Sequence, residues 1–410
     1  MVFFGHERHR RADDCSGRCY RYPQEGKTMA RSLDRILTTH AGSLPRPDDL
    51  AELMWKQVDQ HPVDESALEA TVTKAVADVV AKQKEIGIDL VSDGEEGKPG
   101  FSTYVEERFS GFDGRSEFQA DDVADFPNLA MKLFATDSMA HVIFSNCVGP
   151  VELKDAQAAG RDVSNLQAAL ATSGLKASDA FIGAVSPGQI AFNYPNQYYG
   201  SHEEYLHALA HLLHDEYKAI TDAGFSLQID SPDLAMAGHC RSVGSSVPAD
   251  WAKHLPAAIE ALNHALEGIP AEQVRLHLCW GNYGGPHHKD VPLRDIIEPV
   301  MKANVGTIYP EGGNPRHEHE WRVFQEVKLP DDKDVILGVI DVKSNFVEHP
   351  QVVADRLVRL ANVIGKERVI AGTDCGFDTF IRFSLVDPGV AWLKLESLVQ
   401  GAALASAELW

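Results

Sequence analysis

Four short stretches of the chain carry the side chains that a metal-dependent reaction would need. They are His277-Leu278-Cys279, Glu311 in Ile308-Tyr309-Pro310-Glu311, Cys375 in Gly372-Thr373-Asp374-Cys375, and Thr38-Thr39-His40-Ala41-Gly42-Ser43. Each reads as the end of a buried strand. Side chains at i and i+2 of a strand project to one face, so His277 and Cys279 can share a ligand pocket. A second thiolate and a carboxylate from neighbouring strands would complete a tetrahedral zinc site of mixed sulfur, nitrogen and oxygen donors. Spacing thus nominates His277, Cys279, Glu311 and Cys375. An isolated His-x-Cys is also what a buried thiol beside a hydrogen-bonded histidine looks like, so the nomination leans on the other stretches.

Positioning such residues requires a scaffold of strands that end together. Eight segments are short, rich in β-formers and bounded by turns: Ile36–Thr39, Leu90–Asp93, Ala180–Val185, Leu227–Asp230, Val274–Cys279, Gly306–Tyr309, Val335–Asp341 and Val369–Thr373. Between them lie amphipathic stretches such as Leu68–Ile86, Glu203–Ala223, Trp251–Leu266 and Pro350–Ile364. Eight β/α units in sequence predict an α/β fold of the (β/α)8 TIM-barrel type, and the glycine-rich dinucleotide fingerprint of an open sheet is absent. Residues 97–178 break the spacing and read as a long insertion after the second strand, with a turn at Gly111-Phe112-Asp113-Gly114 and a hairpin-like Ala140–Phe144. Leaving from the carboxyl end of a strand, it is expected to form a lid or a wall of the substrate site. Reactive groups follow nearly every strand: His40, Gly42 and Ser43; Asp93, Glu95 and Glu96; Asp230; His277 and Cys279; Glu311; Asp341 and Lys343; Asp374 and Cys375. They point to one mouth.

Composition bounds the function. The 410 residues are 44% hydrophobic and 24% charged, with no apolar run long enough to span a bilayer. A formal net charge of −22 repels nucleic acid and acidic membrane surfaces, which excludes both as partners. The six cysteines are too few and too scattered for a disulfide framework, and a reducing cytoplasm is the expected location. Residues 1–30 read as a disordered extension ahead of a catalytic domain over 31–410; Met29 directly precedes the globular pattern. Deleting residues 1–28 is expected to leave activity and melting temperature unchanged, and Cys15 and Cys19 lack further ligands for a metal of their own.

With these residues laid out, the chain resembles the catalytic carboxyl-terminal barrel of the cobalamin-independent methionine synthase family, in a single-barrel branch. The resemblance runs from about Ile36 to Cys375. It is carried by Thr38-Thr39-His40-Ala41-Gly42-Ser43-Leu44-Pro45, Asp93-Gly94-Glu95, Gln228-Ile229-Asp230, His277-Leu278-Cys279, Ile308 to Glu311, Gly338-Val339-Ile340-Asp341 and Asp374-Cys375-Gly376. It implies zinc held by the same four residues that spacing nominates. It further implies that Gly42 and Ser43, with His40 in the same loop, take the carboxylate of an amino-acid substrate, and that Glu95 and Asp230 take its ammonium group. Two carboxylates in one pocket repel each other unless a cation lies between them.

Departures from the family pattern bear on the second substrate. Lys343, after Asp341, stands where the family has a histidine thought to donate a proton, and Met236 replaces a glutamate used against the pterin. The amino-terminal barrel that helps hold polyglutamyl folate is missing. The segment Asn314-Pro315-Arg316-His317-Glu318-His319-Glu320-Trp321 is read as support for Glu311 rather than a second metal site, because positions two apart on a helix do not share a face. His287 and His288 read as a solvated loop, Cys147 resembles a stretch of the folate-side wall, and Tyr194, Tyr198 and Tyr199 either stack on a flat ring or close the core.

The expected reaction is alkyl transfer to a thiol. Coordination to zinc holds a thiol as thiolate at neutral pH, the thiolate attacks an electrophilic carbon, and an acid, Lys343 or a carboxyl-bound water, protonates the leaving atom. An S-methyltransferase making methionine from homocysteine, with a methylated folate or another methyl donor, is the first reading. A lyase resembling epoxyalkane:coenzyme M transferase is the second; Lys343 fits it better and Glu95 with Asp230 fit it worse. A non-catalytic zinc or thiol-binding protein is the third.

Overall fold

The computed structural model describes residues 31–135, 144–247, 250–381 and 383–410. The expected extension over 1–30, Cys15 and Cys19, and most of the hairpin expected at Ala140–Phe144 lie outside the described residues. Eight parallel strands form one sheet: β1 (Leu37–Thr38), β2 (Val91–Ser92), β3 (Ala180–Val185), β4 (Ser226–Asp230), β5 (Val274–Leu278), β6 (Thr307–Pro310), β7 (Asp334–Gly338) and β8 (Val369–Gly372). Pairing runs in chain order from β2 to β8, and β8 pairs with β1. The remaining gap is bridged where Asp89 and Leu90 N–H groups donate to the Thr38 carbonyl at 3.2 and 3.0 Å. The ring is therefore a TIM barrel, as the repeated β/α pattern predicts.

Local sequence explains the outer helices. Asp64 caps Glu65–Ile86 by accepting from the Ser66 and Ala67 N–H groups, and Gly87 ends it in the left-handed region at φ 92°. Ser201 caps His202–Asp222 through the Glu204 N–H, and His349 caps Pro350–Ile364 with proline at the first helical position. The helix Pro388–Leu409 lies against Pro350–Ile364, and a Cβ on Gly401 would stand only 2.4 Å from Val353 Cβ. Glycine sets how closely that helix pair packs.

The long stretch after β2 builds a small separate layer. Phe109–Ser116 pairs with Phe144–Leu153, while Phe118–Ala120 pairs antiparallel with Cys240–Ser242 from the loop after β4. Its last element, Ala158–Ser173, packs on Glu65–Ile86 and so acts as a crossover helix of the barrel. Among the described residues no helix is long and apolar enough to cross a membrane.

Inside the ring, alternation decides which side chains meet. Arg275 and His277 face inward from β5; the Arg275 guanidinium stacks 3.3 Å over the Phe181 ring and donates to Thr39 Oγ1 and the His40 carbonyl, both at 2.9 Å. Tyr309 on β6 donates to the Thr373 carbonyl at 2.6 Å, in a cluster with Leu37, Ala41, Ile336 and Ile370. This plug closes the barrel beneath its carboxyl-terminal mouth.

Candidate active site

Strand register builds the site. Asp230 is the register partner of His277, and Leu278 that of Pro310, which sets Cys279 beside Glu311 one residue further on. Asp230 Oδ1 meets His277 Nδ1 at 2.9 Å, fixing the ring. Cys279 Sγ and Cys375 Sγ, both buried, are 3.7 Å apart. This is too long for a disulfide but close to the ~3.8 Å expected between two sulfurs bonded at about 2.3 Å to one tetrahedral ion. The Gly281 N–H donates to Cys279 Sγ at 3.2 Å and the Trp280 N–H to Glu311 Oε1 at 3.3 Å. Cys279 and Cys375 thus stand together with Glu311 beside Cys279, whereas His277 turns Nε2 to the Asp374 carbonyl at 3.0 Å; the donor types suit zinc, but the ligand atoms of the four are not drawn into one coordination sphere.

Electrostatics show what the cluster wants. The contact with Cys279 and then, against burial, the charge of His277 pull the Cys375 thiol down, while the same contact and burial push Cys279 up, so one proton serves two sulfurs. Burial opposes the charge of Glu311, yet Lys343 and His317 outweigh it and hold the carboxyl at about 2. Lys343 Nζ lies 3.0 Å from Glu311 Oε2, and burial, which lowers its pKa, is overcome by Glu311, which raises it well above the ordinary lysine value. For His277 burial is likewise overcome by the Asp230 hydrogen bond, and its pKa rises to about 9.

One carboxylate not singled out by its spacing organises the loop that carries Glu311. Asp374 accepts from the Gly312, Gly313 and Asn314 N–H groups at 3.0, 2.6 and 2.8 Å and from Asn314 Nδ2 at 2.8 Å. Asn314 Nδ2 also reaches Glu311 Oε2 at 2.7 Å. Asp374 therefore locks the Glu311 loop to Cys375, its own chain neighbour. An Asp-Cys pair facing a Gly-Gly-Asn turn was the available signal.

A cavity of about 740 Å³ opens over the cluster. Its floor contains Ser43, Glu95, Asp230, His277, Cys279 and Cys375; its wall is aromatic, with Phe101, Phe118, Phe144, Tyr283, Phe380 and Phe383. Residues 116–121 line it together with Met236, so the stretch after β2 supplies one side. Glu95 and Asp230 converge: a Cβ placed on Gly183 would lie 3.3 Å from Glu95 Oε1 and 3.2 Å from Asp230 Oδ2. Burial first, and Asp230 second, push Glu95 up to about 8, and Glu95 Oε2 has no hydrogen-bond partner.

Other nominated residues act through the backbone. His40 is buried, bonded through Nε2 to Gln83 Oε1 at 2.8 Å and through Nδ1 to the Gly42 N–H at 3.3 Å; burial draws its pKa down to about 3. It shapes the Gly42-Ser43 loop and does not line the cavity. Gly42 adopts φ 107°, and a Cβ there would meet Glu95 Oε1 at 2.4 Å. Asp341 turns back on its own loop, accepting from the Lys343 N–H at 2.9 Å and Ser344 Oγ at 2.6 Å.

Three further readings are resolved by packing. His287 is buried, not solvated: Nδ1 meets Asp290 Oδ2 at 2.9 Å and its backbone N–H donates to Asp122 Oδ2 at 3.0 Å, a contact 165 residues away in sequence that local pattern does not reveal. His317 is buried while His319 is exposed, so the two share no pocket. Tyr194 is fully buried, Tyr199 stacks on Tyr205, Tyr198 is half exposed, and none of them lines the cavity; Cys147 is a core residue as well.

Comparison with known proteins identifies the family and agrees with the fold. The family model for the cobalamin-independent synthase catalytic domain matches residues 148–384, over half of the chain. A methionine synthase of Sulfolobus acidocaldarius is 25% identical over 386 residues, 93% of this chain and 95% of that protein. A 2-hydroxypropyl-CoM lyase of Xanthobacter autotrophicus is 30% identical over 185 residues, but these are 39% of this chain and 46% of the lyase. Among solved structures, a B12-independent methionine synthase from a Shewanella species, in complex with selenomethionine, superposes with a TM-score of 0.70 at 22% identity, covering 92% of this chain and 99% of that one.

Proposed function

The chain belongs to the cobalamin-independent synthase catalytic-domain family, and from that premise we propose that it methylates the sulfur of homocysteine, using zinc held by His277, Cys279, Glu311 and Cys375. The observation that carries the reading is the buried pair Glu95 and Asp230 on the cavity floor beside the two cysteines. When bound, zinc would keep the acceptor sulfur as a thiolate at neutral pH.

The chain's own residues do the rest. Asp230 orients His277 and, with Glu95, offers the negative charge that an ammonium group neutralises. Ser43 and the backbone at Gly42 receive the amino-acid carboxylate, and the aromatic wall excludes water around the reacting sulfur. Lys343 balances Glu311, with Asp341 ordering its loop; because that ion pair holds the lysine proton tightly and Lys343 lies outside the cavity lining, a carboxyl-bound water is the better proton donor of the two candidates. Among the described lining residues the one lysine or arginine is Arg241, held at 2.9 Å through both terminal nitrogens by Asp121. A polyanionic tail on the methyl donor finds no unpaired positive charge there, so the donor is read as one recognised by its flat, weakly charged body.

The same charge distribution opposes the lyase reading, in which a sulfonate-bearing thiol would sit against two carboxylates. A zinc K-edge absorption spectrum with L-homocysteine or coenzyme M tests both. A rise from two sulfur neighbours to three with homocysteine is expected; no change would overturn the proposal, and a rise with coenzyme M alone would transfer it to the lyase.

A further inference from the structure

The mouth of the barrel holds a second group of ligating side chains that thiol alkylation does not use. His239 follows β4, His287 and Asp290 follow β5, and one ligand atom from each lies within 4.8 Å of the others. His317, after β6, places Nε2 at 2.8 Å from Asp290 Oδ2. All four are buried.

One carboxylate does not satisfy three imidazoles. Asp290 Oδ2 faces both His287 Nδ1, at 2.9 Å, and His317 Nε2. His287 turns its other nitrogen to the Tyr283 carbonyl at 3.1 Å. A neutral imidazole has a single N–H, so one His287 nitrogen presents a lone pair to an oxygen unless the ring is protonated or an added cation intervenes. His239 Nε2 lies 3.2 Å from Asp290 Oδ1, yet Asp290 Oδ1 and both nitrogens of His239 are buried without a hydrogen bond. Leaving such groups unpaired is destabilising, because their lost hydration is not replaced. A nitrogen and an oxygen that are close but not bonded to one another have the separation of two ligands on one ion: bonds of ~2.0–2.2 Å put donor atoms about 3–3.5 Å apart.

We propose that His239, His287, Asp290 and His317 form a second metal site, for a divalent first-row transition ion with only nitrogen and oxygen donors. Imidazole with a single carboxylate suits zinc, iron, cobalt or nickel. The ion would join three consecutive β/α loops. Trp280, next to Cys279, stacks on His317 with ring centroids 4.0 Å apart, and Tyr283, a cavity wall residue, lies 4.5 Å from the His287 ring. The site is therefore a staple for the mouth, independent of whether the thiolate cluster activates homocysteine. The rival arrangement is an ion-free one, with protonated His317 paired to Asp290.

Cobalt titration of the chelator-stripped, full-length protein separates the possibilities, because thiolate ligands give intense near-ultraviolet charge-transfer absorption and nitrogen and oxygen ligands give weak visible bands alone. Two equivalents are expected in the wild type, one of each kind. His239→Gln should lose the weak-band equivalent and keep the thiolate absorption; Cys279→Ser should do the reverse. A wild type that takes one equivalent, with thiolate absorption, would overturn the second site even if neither variant folds. A wild type that takes only the weak-band equivalent would sustain it and instead remove the thiolate centre.

Discussion

Glu95→Gln tests the amino-acid reading most sharply, since it separates binding from stability. Glu95 is 2% exposed, and burial with Asp230 raises its pKa from 4.5 to about 8. At pH 7 roughly one molecule in ten carries the charge, and ionising it to receive an ammonium costs about 1.4 kcal/mol, a factor of ten in affinity. At pH 6 the factor is about one hundred. L-Methionine has the same ammonium and no titrating thiol, so its dissociation constant, measured calorimetrically between pH 5.5 and 8, should fall about tenfold per pH unit and level off near pH 8. In Glu95→Gln the slope should vanish. An acid raised in the folded state makes the ligand-free protein lose stability as pH climbs from about 4.5 towards 8. The variant should therefore melt no lower than the wild type at pH 7 while binding methionine more weakly at pH 8. A flat wild-type profile, or an equal slope in the variant, would refute the ammonium role.

Other consequences are equally direct. Asp374→Ala removes four hydrogen bonds that hold the Glu311 loop; a loss of roughly 2–4 kcal/mol in urea unfolding is expected, with weaker metal retention during dialysis. Gly42→Ala forces a Cβ to within 2.4 Å of Glu95 Oε1 at φ 107°, so KM for homocysteine should rise steeply while metal content is kept. Lys343→Met should leave kcat of the metal-loaded enzyme nearly unchanged, since water delivers the proton; a steep fall in kcat would restore Lys343 as proton donor.

The strand ends were the legible part of this protein. Buried parallel strands are short apolar runs that stop at polar residues, and Ala180–Val185 and the helix Pro350–Ile364 coincide with the elements observed. The nearness of Cys279 to Glu311 was legible for the same reason, because both follow the paired residues Leu278 and Pro310 by one position. What the pattern hid were contacts made by irregular loops. His287 reads as solvated because its segment has no periodicity, and its burial comes from Asp122 in the stretch after β2. Asp374 hides among ordinary strand-end acids, since its four donors are backbone groups and an asparagine whose direction depends on a turn. Arg275 inside the barrel is legible only once Phe181 is known to lie beneath it.

The ribbon of Phe118–Ala120 with Cys240–Ser242 has a consequence for how such a protein diversifies. The cavity floor is made from strand ends that the whole ring must preserve, whereas the facing wall is held by one short strand pair, the Arg241–Asp121 bridge and contacts of Asp121, Asp122 and Asp125 with the loop after β5. On the proposed reading, mutations in that panel would reshape the chamber offered to the electrophile and leave the floor residues around the sulfur in place. Descendants of one barrel would thereby, on the same reading, be free to exchange alkyl donors while inheriting the same nucleophile.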